Sequence, residues 1–496
     1  MKKCLWVIVM ASLALALSLP ALAVDVDFSG EYRIRGFYND NPTLQDDGDK
    51  DSAAWLDHRF RLETKFKANE NVSLTTRLDV FDEQPFGEED VFFDNFEQDD
   101  NQDIDVDAVY LTVLSPVGLF KAGRIPGGST FGTTLGNTGV DYAFDRIEYF
   151  AKSGNLIFGA IYEKLAEDNV LGDVDNEGDC DSYYLLGVYH TDTLEAGLAF
   201  RYQDADEVAD LVDNGSTREL VAGFDQVAAS MGFNPFYIPS FLPPGVVVPQ
   251  APVLSAVAGI YYNYGKVANY AFNPYIKAAI TDCLKIEAEA IYETGEYEAD
   301  NRTLFLNNTL TPVNFGDRDI DSLTYKVEAM YESDAASFNL GWASTSGQDF
   351  DELMKPDGDI TIGNLIYRGL GDDFTPLLIL TGDAGGKPIN NGYTTMLSGA
   401  DLLYAGASFP LNDKLTLHGA IGQAWANEDE YTGGDDDLGF EVDLGVTWKA
   451  MDNLCCKLVA GYLDEGDEIL AGTMLLPGSG DGDATYAVYS EVTMTF

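Results

Sequence analysis

Bases are scarce in this sequence. Its 496 residues hold 29 Lys and Arg against 83 Asp and Glu, a formal charge of −54. No face of such a chain can be strongly basic, so a nucleic-acid partner is excluded. Histidine is nearly absent: His58, His190 and His418 scatter over three separate predicted strands. No nucleophile motif, metal motif or phosphate loop accompanies them, so the sequence predicts no enzyme, no metal site and no cofactor. Cysteine is sparse too. Cys4 lies at the start, and Cys180, Cys283, Cys455 and Cys456 show no metal-ligand spacing. A Cys180–Cys283 bridge and four free thiols are both open at this stage. Membrane helices need uncharged apolar runs of roughly 20 residues. Past the first segment the one long uncharged stretch, 226–265, contains Pro235, Pro239, Pro243, Pro244, Pro249 and Pro252, and prolines at that density bar a helix.

What is present points elsewhere. The chain is 46% apolar and 12% aromatic, too much for a disordered acidic polymer. Gly (49), Phe (28) and Tyr (27) are abundant, the composition of turns and sheet faces. The first residues are an export address: Lys2 and Lys3, an apolar Leu5–Leu19 stretch, then the small-x-small site Ala21-Leu22-Ala23. Residues 1–23 are therefore read as a cleaved signal peptide and 24–496 as one domain.

That domain opens on strict alternation. Val26, Phe28, Gly30, Tyr32, Ile34, Gly36 and Tyr38 share one face, and Asp27, Ser29, Glu31, Arg33 and Arg35 the other. The pattern recurs at 56–67, 72–80, 270–280, 284–293, 323–332, 440–449 and 485–496. Short turns at 68–71, 115–117, 153–155, 191–194, 281–283, 333–336, 411–413 and 450–453 alternate with long, mostly acidic loops. Strands of about 10 residues, joined by short turns on one side and long loops on the other, define an all-β transmembrane antiparallel β-barrel. Counting the segments predicts about 18 strands, with short periplasmic turns and long extracellular loops. The weak alternation near 142–152 and 181–203 leaves about 16 open.

The signal peptide, the alternation and a last strand ending in Phe496 resemble Gram-negative outer-membrane porins. In that family a terminal aromatic belongs to the signal read by the barrel-assembly machinery. Gly123-Arg124-Ile125-Pro126-Gly127-Gly128, running to Phe131-Gly132, is similar to the third-loop entry of diffusion channels. The resemblance implies a passive water-filled channel in the outer membrane, among lipid and lipopolysaccharide, with a homotrimer as a plausible assembly. A substrate-specific channel, a polysaccharide-export channel and a barrel-anchored adhesin stand as alternatives.

The candidate pore residues follow from the polar faces. Arg33, Arg35, Arg59, Arg61, Lys65 and Arg77 fall on one face of neighbouring strands, a basic ladder in a chain poor in bases. Such a strip attracts the anionic end of solutes, pairs with Asp27, Glu31, Asp57, Glu63 and Asp79 on the same wall, or does both. Residues 126–142 are the candidate constriction loop, flanked by Arg124 and Arg146 and holding Asp141, with Asp145 just beyond; all four are expected in the lumen. Residues 204–266 form a long loop containing the uncharged stretch, suited to narrowing the pore, latching a neighbour or roofing the mouth. The acidic loops 83–103, 163–181, 427–437 and 464–483 are expected to be solvated and to hold divalent cations loosely. Asp173-Val174-Asp175-Asn176-Glu177-Gly178-Asp179 begins like a calcium loop but has Tyr184 where the final Glu belongs.

Overall fold

The structure, a computed structural model, describes residues 25–40, 52–86, 104–127, 134–135, 143–166, 180–205, 265–299, 302–306, 309–313, 318–347, 349, 374–382, 398–428, 436–464 and 484–496. The signal-peptide residues lie outside these, as do Asp141 and nearly all of the uncharged stretch and the acidic loops.

Alternation becomes strand at every place it was read. The elements in chain order are β1 (Asp25–Asp40), β2 (Ala53–Asn69), β3 (Val72–Pro85), β4 (Ile104–Ser115), β5 (Gly118–Pro126), β6 (Ala143–Ser153), β7 (Leu156–Ala166), β8 (Cys180–His190), β9 (Leu194–Ala205) and β10 (Gly265–Ala279). They continue with β11 (Leu284–Ala299), β12 (Arg302–Leu306), β13 (Thr309–Val313), β14 (Arg318–Glu332), β15 (Ser337–Thr345), β16 (Ala400–Asn412), β17 (Leu415–Trp425), β18 (Asp437–Met451), β19 (Leu454–Asp464) and β20 (Thr485–Thr495). β12 and β13 pair only with each other, as a hairpin between β11 and β14. The rest make one antiparallel sheet of 18 strands, closed by β1 against β20. The count is 18, not 16. The weakly alternating segments 142–152 and 181–203 are β6, β8 and β9, whose polar face is diluted by inward residues such as Phe144, Leu186 and Ala199.

The pleat sorts the side chains into two shells. Cross-strand partners share a face, so the register fixes which residues look out. Leu444, Trp448, Leu403, Phe409, Leu340 and Phe158 are large, apolar and exposed on the outer surface. A soluble sandwich would bury such rows; a sheet facing hydrocarbon presents them. The inner shell carries the charge and, on one side, a second core described below.

Closure depends on a tight seam. Gly30 and Phe496 exchange two backbone hydrogen bonds, both 3.0 Å. The Phe496 ring stacks on Phe60 at 6.0 Å. A Cβ at position 30 would stand 2.4 Å from the Arg61 carbonyl oxygen and 2.7 Å from the Phe496 ring, so only glycine admits both neighbours. Cys180 starts β8 at the long-loop end and Cys283 sits in the short turn before β11, at opposite ends of the wall. The bridge left open by the sequence is thus excluded, and all four described cysteines are free.

Gly30→Val should lower barrel stability by about 1–3 kcal/mol through overpacking at the seam. The check is the temperature at which the folded band disappears in heat-modifiability electrophoresis, which should fall relative to wild type.

Candidate pore and its constriction

The basic ladder sits on one inner wall. Arg33 stands opposite Arg59, Arg35 opposite Asp57, and Glu31 opposite Arg61 across β1 and β2. Glu63 stands opposite Arg77 and Arg61 opposite Asp79 across β2 and β3. Like charges on facing positions repel, and the wall answers with interleaved carboxylates. Arg35 donates to both oxygens of Asp57 at 2.9 and 2.8 Å. Arg59 reaches Glu31 at 2.9 Å and Asp82 at 3.5 Å. Arg61 donates to Asp79 at 2.8 Å, and Arg77 pairs with Asp107. Lys65 is exposed on the same inward row. Of the two readings the sequence allowed, pairing along the wall describes these contacts. Its acids are Glu31, Asp57 and Asp79, joined by Asp82 and Asp107, which alternation alone did not identify. Asp107 reaches inward because a bulge opposite Arg77 and Asp79 breaks the period. Asp27 pairs instead with Lys67.

Arg146 also faces inward, on β6, paired with Glu163 and 4.0 Å from Glu148. Lys121 faces inward beside it, 3.5 Å from Glu148. That placement corrects the expectation for Arg124 and Asp145. With Lys121 opposite Thr112, Arg124 falls opposite the outward Val109 and next to Asp145. Both belong to an outer charged row, Arg124–Asp145–Lys164–Asp181–Asp204, each residue the cross-strand partner of the next. One pleat nearer the membrane runs a row of outward tyrosines, Tyr162, Tyr183, Tyr202 and Tyr270. Their rings lie 5.4, 6.3 and 5.0 Å apart in turn. Amphipathic aromatics at the hydrocarbon edge with charge beyond them mark an interface with water. So Arg124 and Asp145 are outside the barrel at its long-loop rim, not in the lumen. Asp141 lies outside the described residues.

The histidines hold three unrelated posts. His58 is outward, 3.1 Å from Tyr32 Oη and stacked on Phe81 at 4.9 Å. His190 pairs with Glu195 near a short turn. His418 is inward, 2.9 Å from both Ser408 Oγ and Thr447 Oγ1.

Among the described residues, two segments from the long-loop side enter the barrel. The first is Thr134–Leu135, from the 126–142 stretch. Leu135 is fully buried and its N–H donates to Glu289 Oε2 at 3.0 Å, on β11. Thr134 Oγ1 accepts from Lys326 Nζ at 2.7 Å, on β14. Neither strand pairs with β5 or β6, so this short piece reaches across the interior.

The second is Phe374–Gly382, between β15 and β16, which sequence reasoning missed. Phe374, Leu377, Ile379 and Leu380 are buried against Leu402, Tyr404 and Ala424 of the inner wall. The backbone N–H of Leu378 donates to Asp443 Oδ2 at 2.9 Å. The N–H groups of Ile379 and Leu380 donate to the two oxygens of Glu441 at 2.6 and 2.8 Å. Thr381 closes the turn on the Leu377 backbone, 3.0 Å each way. A signal was available: Leu377-Leu378-Ile379-Leu380 is an unbroken apolar run inside a loop rich in Asp and Gly, the same oddity that singled out 226–265.

No protein-family model matches the chain, and no curated protein matches it. Among solved structures, Acinetobacter baumannii OccAB4 is 7% identical, with 95% of this chain and 98% of that one covered and a TM-score of 0.50. Pseudomonas aeruginosa OpdQ is 12% identical over 95% and 98%, with a TM-score of 0.48. An anion-selective porin from Comamonas acidovorans is 11% identical over 95% and 100%, with a TM-score of 0.42. At 7% identity the likeness to OccAB4 is one of fold alone.

The wall contacts predict a stability effect. Asp57→Asn removes the carboxylate that the buried Arg35 holds through two hydrogen bonds, a change expected to cost about 3–5 kcal/mol. Urea unfolding of vesicle-inserted protein, followed by tryptophan fluorescence, should show that loss. The double change Arg35→Met, Asp57→Leu should recover much of it, since the guanidinium is removed together with the carboxylate it bonds.

Proposed function

We propose that this barrel is an outer-membrane channel of the porin type, through which small hydrophilic solutes and ions diffuse passively and without a cofactor. The observation that carries the reading is the division of charge between the two shells. The outer shell is apolar up to the tyrosine row, and the inner shell of an 18-stranded ring is studded with ion pairs. A ring of that size is too wide for wall side chains to fill, and its interior holds water.

The interior is not electrically uniform. Arginines crowd β1, β2, β3 and β6, whereas β11 and β18 turn Glu287, Glu289, Glu293, Glu441 and Asp443 inward. Charges fixed on facing walls make a field across the lumen that orients a passing dipole or carboxylate. The two inward segments leave less room than an open ring, which favours a solute-selective channel over a wide one. On this reading the outward band meets outer-membrane lipid, with lipopolysaccharide at the tyrosine and charged rows and divalent cations held loosely by the acidic loops. A homotrimer and delivery by the barrel-assembly machinery belong to the same reading, by resemblance.

A planar-bilayer recording tests it. The purified protein should give stepwise conductance with a measurable reversal potential in a salt gradient. Arg59→Gln with Arg61→Gln leaves Glu31 and Asp79 in surplus and should move that potential towards cations. An adhesin that uses the barrel only as an anchor would give no steps at all.

A further inference from the structure

Lys326 occupies an unusual position on β14. Its side chain is 3% exposed. Its ammonium lies 3.0 Å from Glu287, 3.4 Å from Glu328 and 2.7 Å from Thr134 Oγ1. A lysine ammonium has three N–H donors, so two are spent on wall carboxylates and the third on the first inward segment. Phe374 of the second inward segment presents its ring to the same cation, 5.9 Å from Nζ. One side chain therefore touches both segments, although about 240 residues separate Thr134 from Phe374.

Each segment has a second anchor of its own. Leu135 is held by Glu289, whose other oxygen accepts from Asn273 at 3.0 Å. Leu378, Ile379 and Leu380 are held by Asp443 and Glu441 through backbone N–H groups. Carboxylates accepting amide hydrogen bonds in a buried setting form strong, directional contacts. Leu135, Phe374, Leu377, Ile379 and Leu380 then share one apolar cluster with Ala343, Leu402 and Tyr404.

We infer that Lys326 and the Glu441–Asp443 pair are positioning residues that dock Thr134–Leu135 and Phe374–Gly382 as a single unit, so that channel width is set by both segments moving together. The inference rests on the channel reading above for its consequence, but not for its geometry. Lys326→Met removes the shared contact while keeping the stem. Thr134→Val and Phe374→Leu each remove one side of it and lie outside the barrel strands, so they carry the test if Lys326→Met does not assemble.

Amide hydrogen exchange on the full-length barrel in detergent is the deciding measurement. Thr134→Val should speed exchange at Leu378, Ile379 and Leu380, on the segment it does not belong to, and Phe374→Leu should do so at Leu135. Glu441→Gln with Asp443→Asn should speed both sites. In bilayers the same variants should raise unit conductance roughly twofold and admit larger uncharged sugars in vesicle-swelling assays. The Thr134→Val, Phe374→Leu double variant should behave like either single one. Exchange that rises only within the mutated segment, or conductance gains that add independently, would overturn the inference. A wild-type protein that never conducts would sink the channel reading instead, and the exchange result would still decide the docking.

Discussion

A backbone amide in hydrocarbon has no water to fall back on. Every N–H and C=O in the spanning region must find a partner within the protein, and an open sheet edge leaves a full row without one. The contact of β1 with β20 is therefore the constraint on which the rest depends. Gly30 is there because the two ends must come within hydrogen-bonding distance beside an aromatic ring. Once the ring closes, the pleat assigns each residue a side, and the two shells follow without further instruction. The outer shell is selected for hydrocarbon and the inner one for whatever occupies the middle.

The middle is organised by carboxylates. On β1, β2 and β3 they neutralise arginines that would otherwise repel across the strands. On β11 and β18 Glu289, Glu441 and Asp443 accept backbone amides from chain that enters from the long-loop side. The same residue type thus stabilises wall charge in one sector and captures loop backbone in another. The difference lies in what faces them: guanidinium groups in the first case, unpaired peptide N–H groups in the second. A loop that enters a barrel carries backbone donors with it, and an acid on the wall satisfies them more strongly than a neutral acceptor would.

Much of this was legible in the sequence, for a reason. Period-two alternation is a local property, and a strand with one face in lipid must show it. So β1, β2, β11 and β14 could be read directly, and Arg33, Arg35, Arg59, Arg61, Lys65 and Arg77 could be placed on one inward wall. Arg124 and Asp145 could not, because Lys121 and Arg124 lie on opposite faces of β5 and only the pairing with Thr112 and Val109 decides which looks in. Asp107 was hidden by the bulge that breaks the period. Phe374–Gly382 escaped because a loop that packs inside a barrel has neither alternation nor helical period. Its position depends on Glu441 and Asp443, more than sixty residues away in the chain. Local patterns specify walls, and contacts distant in sequence specify what the walls enclose.

The outer charged row has a geometric consequence. Followed backwards from Arg124, its cross-strand partners are Val109, Thr76, Thr64 and Phe28. Followed forwards from Asp204 they are Ala268, Glu296 and Asp319. Phe28 lies near the start of β1, at the short-turn end, while Asp204 closes β9 at the long-loop end. One hydrogen-bonded row thus climbs the whole wall like a spiral ramp, passing from apolar to charged residues as it rises. That pitch is the stagger a tilted-strand barrel needs in order to close. It also ties depth to register. A two-residue slip in any one pairing would keep every side chain on its correct face, yet it would lower or lift all the later strands relative to the bilayer. The row of tyrosines and the row of charges beyond it therefore act as a depth gauge that penalises a mispaired ring even when inside and outside are sorted correctly.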